Sequence, residues 1–187
     1  MLHCLRLFSA ILAAALFALG APAMAQTTGG GTPGATSTDA RGKLSKDDHD
    51  LLQDIAQANL AEIETGKMAL EKGQSAEVKK FAQMMIDDHT KAMEELRTLA
   101  KAKGSSVPTE TDVQHKAIAT ALKALSGETF DSQYIARVGV GDHERTHKLL
   151  EKTQREAKDA DLKAYATKTI QVVARHLEAA RKLEKKK

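Results

Sequence analysis

VKKFAQMMIDDHTKAMEELRTL, Val78 to Leu99, places apolar residues at Val78, Phe81, Met85, Ala92, Leu96 and Leu99, in steps of three and four. Steps of that size fall on one side of a 3.6-residue helix, whereas a strand would need alternation. The stretch predicts an amphipathic helix. One member of the stripe is polar: His89 stands between Met85 and Ala92.

Working outward, the same pattern recurs three times. Leu162, Tyr165, Thr169, Val173, His176, Ala180 and Leu183 form the stripe of a last helix, with His176 facing inward. Leu52, Ile55, Asn59, Glu62, Ile63, Gly66 and Leu70 define a first helix and place the carboxyl of Glu62 on its buried face. Ala136, Val140, His143, His147 and Leu150 share the face of a third long helix. Strong helix formers dominate throughout, and alternating β-branched runs are missing.

Punctuation sets the boundaries. The first helix runs from about Ser45 to Lys72 and stops at Gly73, a residue suited to the position after a helix end. Ser75 caps a second helix that continues to Lys103, before Gly104-Ser-Ser-Val-Pro108. A short helix from about Asp112 to Leu125 follows, then a long one from about Thr129 to Ala157, and a last one begins near Asp159 or Asp161. The expected fold is all-α: a four-helix up-down bundle with one short extra helix between the second and third long helices.

The bundle takes residues 45–187. Before it, residues 26–44 form a Gly/Thr/Ser-rich linker that lacks the apolar surface to order itself. Residues 1–25 have the marks of a cleaved secretory signal: a weakly basic start, an apolar run of about 13 residues, and Ala23-Met24-Ala25 at its end. No later segment is uniformly apolar, so the mature chain is expected to have no integral membrane span. The periplasm or cell envelope is the expected destination.

The only cysteine, Cys4, lies in the signal, so disulfides and thiolate metal sites are excluded from the mature chain. Loss of Arg6 with the signal leaves 27 basic residues against 25 acidic ones. The charges are interspersed and aromatic residues are few, which argues against nucleic acid as a partner. An envelope partner or a second copy of the chain is left open.

Helix geometry brings the inward polar residues to one level. His143 lies about 16 residues before the last turn and His176 about 17 after it, so an antiparallel pair sets them side by side. Glu62 and His89 agree to within about one helical turn, roughly 5 Å. Four polar side chains on four helices then share one buried layer. Such burial costs several kcal/mol unless the groups are paired, hydrogen-bonded or bound to a metal.

Two solutions fit. One is a hydrogen-bonded network of Glu62 and the histidines, aided by Asp88, Asp142 or water. The other is one divalent transition-metal ion, zinc, copper or iron, held by Glu62, His89, His143 and His176, with Asp88, Asp142 and His147 as additional candidates. No residue is assigned a catalytic role. An open coordination position beside a solvent-reaching cavity would favour an enzyme, and a sealed layer a binding or structural protein.

EVKKFAQMMIDDH (Glu77–His89), FDSQYIARVGVGDHE (Phe130–Glu144) and RHLEAARKL (Arg175–Leu183) resemble the secreted bacterial proteins grouped as domain of unknown function 4142. The resemblance covers about Lys46 to Leu183 and implies a ferritin-like helical bundle in the envelope, often labelled an outer-membrane protein, without an assigned activity. Its pattern marks Phe81, Asp88, His89, Phe130, Tyr134, His143 and His176.

HERTH, His143 to His147, also matches the H-E-x-x-H motif of zinc peptidases. Its context disagrees: no strand precedes the helix, and Leu150 and Thr153 occupy the positions where the longer motif needs Gly and His. A ferritin-like metal-dependent oxidoreductase is the other enzymatic alternative. Ile86, Val140 and Val173 stand three residues before the inward histidines, so both Glu-x-x-His pairs of a di-iron bundle are missing. A kink is expected at Gly139 and Gly141, or a helix restart with Asp142 as N-cap.

Overall fold

The structure, a computed structural model, describes residues 42–186. The expected signal at 1–25, and the expected linker at 26–44 apart from its last residues, lie outside the described residues. Among the described residues all regular structure is helical. α1 spans Lys46–Lys72, α2 Ala76–Ala102, α3 Val113–Lys123 and α4 Gly127–Tyr134; a π-helical segment, Ile135–Asp142, leads into α5, His143–Glu156, and α6 spans Ala160–Glu184.

The caps explain where the helices start. The hydroxyl of Ser45 accepts from Asp48 N and that of Ser75 from Val78 N, while Asp112 and Asp159 accept from His115 N and Leu162 N. Each satisfies one backbone donor that has no partner within its helix. Gly104 and Gly127 turn the chain with φ of 64° and 60°, which glycine adopts without strain. Gly73 differs from expectation: its φ is −65°, so the chain does not use it for left-handed backbone. A Cβ there would stand 2.6 Å from the Ala69 carbonyl oxygen and 3.0 Å from Oδ1 of Asp131. Glycine is needed for that close approach.

α1 packs along α2, and α5 along α6, each pair joined by a three-residue turn. Contacts of α2 with α6 and of α1 with α5 bring the two hairpins together. A buried carboxylate from a distant helix holds each turn. Asp131 accepts from the backbone N–H groups of Gln74 (3.1 Å) and Ser75 (2.7 Å). Asp48, at the start of α1, accepts from those of Lys158 (2.8 Å) and Asp159 (3.1 Å). Asp48 thereby ties the start of α1 to the turn between α5 and α6.

The helix through Gly139 and Gly141 neither breaks nor restarts. Asp142 keeps helical angles, φ −71° and ψ −38°, and makes no capping bond; its carboxylate pairs with Arg145 instead. The π turn is wider than an α turn, so more residues pass before the same face returns. The buried row accordingly runs Tyr134, Val138, Asp142 and Ile135, Gly139, His143. The expected stripe of Ala136, Val140, His143, His147 and Leu150 holds only at His143 and Leu150, the other three being half-buried.

The core divides into two apolar clusters. One contains Leu52, Ile55, Met93, Leu96, Leu150 and Val173; the other contains Phe81, Met85, Phe130, Tyr134, Val138 and Ala180. On every long helix the chain passes from one cluster to the other through buried polar residues: Asn59 and Glu62, His89, His143, and His176. The polar layer lies between the clusters.

Candidate metal centre

His89 comes from α2, His143 is the first residue of α5, and His176 comes from α6; all three are buried. Their ring centroids form a nearly equilateral triangle, 5.6 Å from His89 to His143 and 5.4 Å for the other two pairs. One ligating nitrogen from each ring lies within 4.8 Å of the other two. Among the described residues no carboxylate joins them at that spacing.

Each ring has one nitrogen engaged with a group outside the three rings. The amide nitrogen of Asn59 donates to the Ile55 carbonyl (3.0 Å) and lies 3.4 Å from the Tyr165 hydroxyl, so its Oδ1 is left to accept from Nδ1 of His89 at 2.9 Å. Nδ1 of His143 donates to the Val138 carbonyl at 3.0 Å. Nε2 of His176 donates to the Asp88 carboxylate at 2.8 Å. These acceptors fix the tautomers. The opposite nitrogens, Nε2 of His89, Nε2 of His143 and Nδ1 of His176, are buried with no hydrogen-bond partner.

The electrostatics keep the rings neutral. Burial, then the neighbouring His143 and His176, hold His89 well below the usual histidine range. Burial lowers His143 to about 4, although its bond to Val138 opposes the shift. His176 is lowered by burial against the raising effect of Asp88. A neutral imidazole with a free lone pair is the form that binds a transition metal. Three such lone pairs left unsatisfied in a core would each carry a desolvation cost of about 1 to 3 kcal/mol.

Glu62 reaches the same layer by another side. Its Oε1 lies 3.2 Å from Nδ1 of His143, the nitrogen already bonded to Val138, and its Oε2 has no partner. Burial raises its pKa well above the usual carboxylate range, with Arg145 pulling the other way. Both members of this contact are pushed toward their neutral forms, so it is not a strong ion pair. The Tyr134 hydroxyl is also buried without a partner, and burial together with Glu62 raises its pKa well above 10.

The additional candidates are placed apart from the triangle. Asp88 belongs to it only through His176, and its side chain is 43% exposed. Asp142 is buried against Arg145. His147 is half-buried beside Glu151, 3.6 Å away, so the two histidines of HERTH do not share one site. Asn59, Tyr165 and the Val138 carbonyl complete the surroundings. Asn59 was visible as a polar residue on the first stripe; the Val138 acceptor depends on π geometry and leaves no sequence signal.

A groove of about 270 Å³ between α2 and α6 reaches His89 and His176 and is bordered by Asp88, Lys91, Lys168, Val172 and Arg175. No helix among the described residues is long and apolar enough to cross a membrane.

Comparison with known proteins bears on the fold. A family model described as domain of unknown function (DUF4142) matches residues 33–183. A solved structure described as a DUF305 fragment from Deinococcus radiodurans superposes with a TM-score of 0.69 at 12% identity, covering 78% of this chain and 99% of that one. Another, described as CopM in the Cu(II)-bound form, superposes with a TM-score of 0.63 at 18% identity, covering 74% and 96%. At those identities the likeness shows a shared helical fold. No curated protein matched the sequence.

Proposed function

The chain belongs to the family described as domain of unknown function (DUF4142), and on that footing we propose that it is an exported metal-binding protein holding one transition-metal ion. The ligands are Nε2 of His89, Nε2 of His143 and Nδ1 of His176. One observation carries this reading: three partnerless imidazole nitrogens, on rings whose other nitrogens are each bonded to a fixed acceptor. Structural hydrogen bonding alone would leave all three lone pairs unused.

An all-nitrogen, thiol-free set of neutral imidazoles suits copper(II) or zinc better than a hard cation. The structural neighbour described with Cu(II) bound supports testing copper first. An ion at about 2.0 to 2.1 Å from each nitrogen requires those nitrogens about 3.3 Å apart. From a spread of up to 4.8 Å, the rings must draw inward by at most about 1.5 Å, within reach of small side-chain rotations. Asn59, Val138 and Asp88 then orient the rings, while Glu62 supports His143 from behind and leaves the first coordination sphere to the histidines.

The finer architecture under this reading is a ferritin-like, up-down four-helix bundle in which α4, the π segment and α5 act as one rod. Export to the periplasm or envelope follows from the signal-like residues 1–25, and a mature amino terminus at Gln26 in fractionated cells would test it. A second reading, a metal-dependent oxidoreductase, draws on the groove that reaches His89 and His176. It requires turnover of a substrate, which metal binding alone does not.

Elemental analysis of untagged protein purified from its native compartment is the test, alongside a His89→Ala/His176→Ala variant. About one equivalent of metal in the wild type and none in the variant is expected. Absence of metal in the wild type, persisting after titration with copper and zinc, contradicts the reading.

A further inference from the structure

We infer that the centre keeps one coordination position for a small anion, which enters along the groove between α2 and α6. The inference rests on the three histidines being the ion's ligands. Among the described residues no fourth side chain of ligand type joins the group. Three protein nitrogens leave a position open on an ion that prefers four or more ligands. Glu62 does not fill it, because its carboxylate meets His143 at Nδ1, the nitrogen turned away from the ion.

The groove supplies both a route and a charge preference. It touches His89 and His176 directly. Lys91, Lys168 and Arg175 stand on its rim against Asp88 and Glu95. Lys168 and Glu95 offset each other in an ion pair at 2.8 Å, and Asp88, bonded to the neutral His176 at 2.8 Å, keeps its charge. Arg175 directly precedes His176 on α6 and is exposed. Lys91 and Arg175 then stand against Asp88 alone, a net positive charge at the rim that favours anions. The centre does so too, since neutral imidazoles contribute no charge to offset a buried divalent ion, and a negative ligand relieves that cost.

The probes are azide and imidazole, added to the copper(II)-loaded protein and followed by absorption and electron paramagnetic resonance. Azide is expected to produce a new ligand-to-copper band and to perturb the resonance. A Lys91→Glu/Arg175→Glu variant should load copper normally yet bind azide about tenfold more weakly, with little change for neutral imidazole. Val172→Trp, which narrows the groove, should weaken both probes. If the bulky residue disturbs loading, the charge variant decides alone.

Copper spectra that azide leaves unchanged overturn the inference, as does equal azide affinity in wild type and charge variant. Failure of the metal reading itself is seen earlier, as the absence of a copper signal before any azide is added.

Discussion

At the scale of single residues, the centre depends on where three imidazoles send their protons. Asn59, the Val138 carbonyl and Asp88 each accept from one ring nitrogen, and the other nitrogen of each ring is left without a partner. Replacing Asn59 with leucine strips His89 of that acceptor and leaves a buried N–H unpaired. Metal affinity should fall about 10- to 100-fold, measured by competition with a chelator of known strength; unchanged affinity would remove Asn59 from the centre. Titration offers an independent check. All three rings are depressed below 6.5, so the unfolded chain binds more protons than the folded one once the pH drops below that value. Their contribution to stability is complete above pH 6.5 and is lost as pH falls, through about 4 for His143. Glu62, raised by burial, has the opposite sign: its contribution is present below pH 4.5 and is lost as pH rises through the folded value. Three groups outweigh one, so metal-free protein in chelator should show a lower denaturant midpoint at pH 5 than at pH 7. A His143→Leu variant should show a shallower dependence. A midpoint in wild type that is flat between those values would mean that the rings are not buried in neutral form.

At the scale of the helices, the site is precise because neighbouring elements approach closely. A Cβ on Gly66 of α1 would stand 2.9 Å from Cγ1 of Ile86 and 3.2 Å from the Ala82 carbonyl oxygen on α2. Gly66→Ala should therefore push α1 from α2. Overpacking costs about 1 to 3 kcal/mol, and the better helix propensity of alanine returns up to about 1. A net loss of up to about 2 kcal/mol in urea unfolding is expected, together with weaker metal binding, because α1 carries Asn59 and α2 carries His89. Equal or greater stability would show that the interface has room. Helix starts were legible to within a residue or two, because Ser45, Ser75, Asp112 and Asp159 announce them in local chemistry. The four polar residues expected to share a layer were likewise legible from their place on 3.6-residue stripes and their distance from the turns, although Glu62 meets His143 at Nδ1 and does not join the three histidines at ligand spacing. What escaped was nonlocal or irregular. The π segment moved Ala136, Val140 and His147 off the buried face, and no local propensity marks where a helix will widen. Gly73 was recognised as a stop for the wrong physical reason: what demands glycine is the close approach of the Ala69 carbonyl on its own helix and of the Asp131 carboxylate, far along the chain.

At the scale of the whole molecule, a buried polar layer separates two apolar clusters, and carboxylates at Asp48 and Asp131 tie the two hairpin turns to distant helices. A chain that needed only a stable core could have joined those clusters with leucine or valine, avoiding the cost of three partnerless nitrogens. An ion that binds only the folded state converts that cost into stabilisation, about 2.7 kcal/mol when free metal is a hundredfold above the dissociation constant. The fold shared with the solved neighbours supplies the frame, and the activity must be sought in the layer. X-ray absorption at the edge of the bound ion reads its ligands themselves. Three nitrogen neighbours at about 2.0 to 2.1 Å are expected, with the outer-shell scattering of imidazole, all lost in the His89→Ala/His176→Ala variant. A shell made mainly of oxygen, or one unchanged in that variant, would contradict the three-histidine centre.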